Sequence, residues 1–183
     1  METINDENDR RRFDWSGLGD ISEGRPNLGP DCPVLVYRLF EFTLRDALTR
    51  RYGALETAEV LREAGEIAGE AFCRNVLDQS LGLDDFIADL QRRLRELNVG
   101  RLRVEHADPS TSQFTLTMAE DLDCSGLAVT DETVCDYDEG FIAGIMRTYF
   151  GREFVARETD CWASGGRICR FEVKPLAADL DAG

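Results

Sequence analysis

The sequence predicts an α+β domain, with helices packed on a small antiparallel sheet. Three observations carry that expectation. Residues 33–53, 54–77 and 82–100 are long segments with the spacing or composition of helices. Residues 101–107 ("RLRVEHA") and 112–120 ("SQFTLTMAE") alternate as strands do and are joined by the turn "DPST". A fourth helical segment, 132–151, precedes a closing hairpin around "WASGGR". The order is therefore helices, two strands, a helix and two strands, which argues for α+β.

The first helical segment, 33–53, starts with Pro and ends with Gly. Leu35, Leu39, Phe42 and Leu48 form its apolar stripe, widened by Phe40 and Leu44. The second, 54–77, is rich in Ala, Glu and Leu, and Ala64, Gly65, Ala68, Gly69 and Ala71 give it a small-residue face. Glycine costs a helix about 1 kcal/mol against alanine, so the pair needs a reason. Close approach of another helix or of a subunit supplies one; a ligand lying against the face is the functional alternative. In the third, Asp84 is placed to cap, and Phe86, Ile87, Leu90, Leu94 and Leu97 form the stripe. The fourth carries Val134, Phe141, Ile142, Ile145, Met146 and Tyr149 at helical spacing and closes at Gly151. Residues 1–31 mix glycines, Pro26 and Pro30 with charges and read as a flexible arm. Residues 32–175 form the single expected domain, and 176–183 a tail.

A chain of 183 residues suits one domain and can bury roughly two thirds of its unfolded surface without disulfides. Its 21 basic and 36 acidic residues give a formal charge of −15. Such a surface repels phosphate backbones and anionic lipid, so neither nucleic acid nor membrane is an expected partner. The sequence has no signal-peptide pattern and no apolar run of about 18 residues, which points to the cytoplasm. There, six cysteines are more often thiols or metal ligands than disulfides. Cys32, Cys73 and Cys124 read as small packing residues or free thiols.

The remaining three cysteines form a pattern. Cys161 and Cys169 lie on opposite arms of the closing hairpin, within metal or disulfide reach across the Gly165–Gly166 turn. Glu158 lies three residues before Cys161, and strand alternation alone would put the two on opposite faces. A bulge or a turn beginning near Asp160 would bring them together. Cys135, in the opening turn of the fourth helix, supplies another ligand if that helix lies across the hairpin. Three thiolates and one carboxylate suit tetrahedral Zn²⁺, and four protein ligands leave no open position, so the site would be structural. Arg157, Arg167 and Arg170 are near enough in sequence to offset its charge. Spacing alone leaves two alternatives open: a Cys161–Cys169 disulfide, and unliganded buried thiols.

Residues 135–173 resemble the C-terminal signature of the 4-vinyl reductase domain family. The resemblance rests on Cys135, Tyr137, Gly140, Phe141, Gly144, Glu158, Cys161, Gly165, Gly166, Cys169 and Phe171. It is looser but compatible over 33–118. It implies an α+β fold shared with haem-NO-binding-like domains and vesicle-tethering subunits. It also implies a homodimer and a buried pocket for a small hydrophobic ligand. In the phenol-sensing members the zinc ligands follow the order Cys, Glu, Cys, Cys, which falls here on Cys135, Glu158, Cys161 and Cys169. Phe86, Phe114, Phe141, Ile145 and Tyr149 are the expected pocket residues. The single His106, at a strand end, has no expected place there.

The family name suggests reduction of a vinyl group, but the residues do not assemble a catalyst. There is no Gly-rich dinucleotide fingerprint after a strand, no phosphate-binding loop, and no Ser-His-Asp or Cys-His set. Asp84–Asp85 and Asp138–Glu139 fall on helix starts, where they favour the dipole, and read as caps or solvated faces. The expected function is a stand-alone sensor that binds a small hydrophobic ligand, carries structural zinc, and signals through a dimer or a protein partner. The alternatives are an accessory or carrier protein for tetrapyrrole biosynthesis, and an assembly protein without a ligand.

Overall fold

The computed structural model describes residues 12–176; residues 1–11 and 177–183, which take in parts of the expected arm and tail, lie outside the described residues. Five helices and four strands follow one another along the chain: α1 (Ile21–Gly24), α2 (Val34–Tyr52), α3 (Ala54–Val76), α4 (Leu83–Glu96), β1 (Arg101–Asp108), β2 (Gln113–Ala119), α5 (Asp136–Phe150), β3 (Phe154–Asp160) and β4 (Cys169–Pro175). A single 3-10 turn, Trp15–Leu18, precedes α1. All neighbouring strands are antiparallel, in the order β1-β2-β4-β3. The predicted α+β architecture is the observed one.

The core lies between the sheet and the helices α3, α4 and α5. Leu102, Phe114, Leu116, Met118, Phe154, Phe171 and Val173 from the strands meet Phe72, Phe86, Leu90, Leu94, Ile142, Ile145 and Met146 from the helices. In α4 the periodic residues Phe86, Leu90 and Leu94 are all buried, as their spacing requires. Leu97 is left exposed because the helix ends at Glu96. Asp84 is not the cap: Gly82 holds that position, and Asp84 lies in the first turn, where its charge favours the dipole.

The small-residue face of α3 meets α5 along its length. A Cβ added to Gly65 would lie 2.1 Å from the Tyr137 carbonyl oxygen, and one on Gly69 2.1 Å from that of Phe141. From the other side, a Cβ on Gly140 would lie 2.0 Å from the Arg62 oxygen. The glycines are there because two helix backbones touch, which is the packing reason the sequence suggested.

Helix α2 departs from expectation. Leu35, Leu39 and Phe40, from its apolar stripe, are 76%, 64% and 66% exposed, and Glu41 is its buried residue. Polar bonds hold the helix instead. Arg38 donates to the carbonyls of Leu122 (2.7 Å) and Ser125 (2.9 Å). Arg45 donates to Asp136 (2.7 Å) and to the Val134 carbonyl (2.7 Å), and the Tyr37 hydroxyl to Asp123 (2.8 Å). These bonds fix the loop after β2 and the entry to α5, the two segments that frame the site.

Candidate metal centre and adjoining cavity

Four buried cysteines converge where α5, the closing hairpin and the loop after β2 meet. The Sγ atoms of Cys124, Cys135, Cys161 and Cys169 lie within 4.8 Å of one another, and none of the four is more than 1% exposed. Cys135 to Cys161 and Cys135 to Cys169 are both 3.8 Å, and Cys124 to Cys169 is 3.0 Å. All four are free thiols. In the cluster as it stands, Cys161 is held far below the ordinary thiol range by hydrogen bonds from Cys124 first, then Cys135 and Cys169.

Each cysteine arrives by a different local device. Cys135 is the N-cap residue of α5. Cys161 follows β3 directly, and a tight turn orients it: its N–H donates to Ser164 Oγ (3.0 Å), and its carbonyl accepts from Gly166 N–H (2.8 Å). The ladder contains the bulge that the Glu158–Cys161 spacing calls for, between Glu158 and Asp160. Cys169 opens β4. Cys124 sits in a turn whose Asp121 Oδ1 accepts from the N–H groups of Asp123 (2.8 Å) and Cys124 (3.0 Å).

Glu158 lies beside this group and outside it. Its Oε2 accepts from the Cys135 N–H (3.1 Å), and its Oε1 is buried without a partner. Burial, then the neighbouring Cys161, push its carboxyl up to about 8. The three arginines are engaged elsewhere: Arg157 with Glu139 (2.8 Å), Arg170 with Glu105 and Asp160, and Arg167 over the Trp162 ring. Glu139 is not on a solvated face. It is 7% exposed and accepts from Arg62 (2.7 Å), from Arg157 and from the Glu158 N–H (2.7 Å).

Next to the cysteines, an apolar cavity of about 20 Å³ is enclosed by Leu90, Leu94, Leu116, Phe141, Ile145 and Met146, among others. Asp138 is the polar residue in its lining, and Asp138 Oδ2 is buried without a partner. Burial first, then Asp123 and Asp121, push this carboxyl well above the usual range. Of the five predicted pocket residues, Phe141 and Ile145 line the cavity. Phe86 stacks on Tyr149 at 3.9 Å, the Tyr149 hydroxyl donates to the Leu81 carbonyl (2.9 Å), and Phe114 packs near Phe150. His106 is exposed on β1.

The donor set fits a metal ion. Sulfurs around a tetrahedral zinc with Zn–S of about 2.3 Å are separated by about 3.8 Å, the value found for both Cys135 pairs. Free thiols converging from three segments in one buried spot give a soft, closed donor set, which suits zinc better than a hard cation.

Residues 114–175 match the family model for the vinyl-4-reductase domain, and the signature seen in the sequence lies inside that match. Three solved structures share the fold. One is a vinyl-4-reductase family protein from Methanocaldococcus jannaschii, 20% identical over 81% of this chain and 85% of that one, with TM-score 0.57. Another is the phenol-responsive sensory domain of the transcription activator PoxR with phenol, 18% identical over 96% of this chain and 91% of that one, with TM-score 0.62. The third is a trafficking protein particle complex subunit 3 from Naegleria fowleri covalently bound to palmitic acid. It is 10% identical over 79% of this chain and 95% of that one, with TM-score 0.63. Among the described residues no helix is long and apolar enough to cross a membrane.

Proposed function

We propose that the protein is a small-molecule sensor domain, in which an apolar cavity under α5 receives a small aromatic alcohol and a structural zinc ion ties that helix to the closing hairpin. The observation that carries this reading is the cavity's make-up: apolar walls with one buried, unpartnered carboxyl oxygen, on Asp138, one helical turn from Cys135. A carboxyl kept neutral by burial both gives and accepts a hydrogen bond, which matches a hydroxyl on an otherwise apolar ring. Two structures of like fold hold phenol and palmitic acid, which supports an apolar ligand for this one.

At about 20 Å³ the cavity has room for little more than a water. The ligand therefore binds a form in which α4 and α5 stand slightly apart, and it shifts the population toward that form. A tetrapyrrole would need far more room, which disfavours the carrier alternative. Zinc would be held by Cys135, Cys161, Cys169 and a fourth ligand, and it would supply a rigid cross-link rather than reactivity. Through Cys135, movement of α5 reaches the hairpin. The exposed apolar stripe of α2 is the surface through which a second copy would receive the signal. Reduced thiols of this kind belong in a reducing compartment, the cytoplasm.

Calorimetric titration with phenol and with toluene tests the reading. Phenol is expected to bind more tightly than toluene, and Asp138→Leu to cut the phenol affinity by about tenfold or more while sparing toluene. If wild-type protein binds neither ring, or if Asp138→Leu binds phenol unchanged, the reading is wrong.

A further inference from the structure

We infer that the fourth ligand of the metal is Cys124, from the loop after β2, and that Glu158 stands outside the ligand set and braces the N-terminus of α5. The inference rests on the reading that this site holds zinc. It departs from the Cys, Glu, Cys, Cys order that the sequence resemblance implied.

Three observations carry it. First, the group of donor atoms within 4.8 Å of one another is made of four sulfurs, and Cys124 is among them while Glu158 is not. Second, the loop around Cys124 is built to deliver that thiol. Asp121 Oδ1 accepts from its N–H, the Leu122 N–H donates to the Val99 carbonyl (2.9 Å), and Arg38 gathers the carbonyls of Leu122 and Ser125. A polar turn anchored on both sides leaves Cys124 fully buried and turned to the other thiols. Third, Glu158 already has a task. Cys135 occupies the N-cap of α5 and its side chain caps nothing. The carboxylate of Glu158 accepts the Cys135 N–H instead, placing negative charge at the positive end of the helix. A Cys₄ set ties three segments together, the loop after β2, the start of α5 and the hairpin, where the Cys₃Glu set would tie two.

Cobalt uptake distinguishes the two sets, because the near-ultraviolet sulfur-to-cobalt band grows with the number of thiolates bound. Purified full-length protein, stripped and reloaded with Co²⁺, should show the intensity of four thiolates. Glu158→Gln should keep that intensity; Cys124→Ser should lose about a quarter of it, one thiolate of four, and bind cobalt more weakly. Cadmium-113 resonance of the wild-type protein needs no variant, and it should fall in the range of four sulfur ligands. A three-sulfur, one-oxygen resonance, with cobalt intensity unchanged in Cys124→Ser and altered in Glu158→Gln, overturns the assignment and leaves the metal site standing. Failure of the wild-type protein to take up cobalt, cadmium or zinc overturns the metal reading and the assignment together.

Discussion

Glu41 shows how single residues set the response of this protein to pH. It is the buried residue of α2, and burial, with Asp123 beside it, pushes its carboxyl up to about 8 despite Arg45 and Arg38 nearby. Its folded pKa lies above its unfolded one, so the folded state holds the proton longer. The stability it contributes is complete below the ordinary glutamate range and is lost as pH rises toward 8. Melting temperature should therefore fall between pH 5 and about 8, and Glu41→Gln should flatten that fall. An unchanged slope in the variant would mean that Glu41 does not titrate as described.

The cysteines show what was legible at the same scale. Cys135, Cys161 and Cys169 stood out because the hairpin turn and the helix start fix their spacing. Cys124 did not, because it lies in irregular chain where neither period 2 nor period 3.6 applies, and its inward aim depends on contacts with the distant residues Arg38 and Val99. The local signal was the "DLDCSG" stretch, in which an aspartate precedes the cysteine by three residues and makes an Asx-type turn.

At the scale of elements, the contact between α3 and α5 governs stability. The backbones touch at Gly65, Gly69, Gly140 and Gly144, and a methyl group there meets backbone atoms that cannot rotate aside. Gly69→Ala is expected to cost about 3 kcal/mol, the upper part of the usual overpacking range, measured by urea denaturation. A loss below about 1 kcal/mol would mean that the helices part easily. The element boundaries and the bulge at Glu158–Asp160 followed from local pattern. The fate of α2 did not. Its apolar stripe is as periodic as that of α4, yet one faces solvent and the other the core, because periodicity gives a helix a face without naming what covers it. Asp138 and Glu139 were misread as solvated for a related reason: helix starts are usually exposed, and here Arg45, Arg62 and Arg157 close over this one.

Over the whole molecule, the account joins a cavity, a helix and a cross-link. The ligand would act on α5 from the cavity side, and the metal would carry that displacement into the hairpin and the loop after β2. The loop is bonded to α2 through Arg38 and Tyr37, so the outer apolar stripe of α2 lies at the end of a continuous chain of contacts. A second copy docking there would cover Leu35, Leu39 and Phe40, and the net charge of −15 would keep larger aggregates from forming.

Everything in this chain of contacts depends on the metal. The most direct measurement is native mass spectrometry of full-length protein purified without chelator, repeated under denaturing, non-reducing conditions. The account predicts one zinc per chain in the native spectrum and, after denaturation, the mass of the fully reduced chain. A metal-free native mass, or a denatured chain lighter by two hydrogens per disulfide, would contradict it.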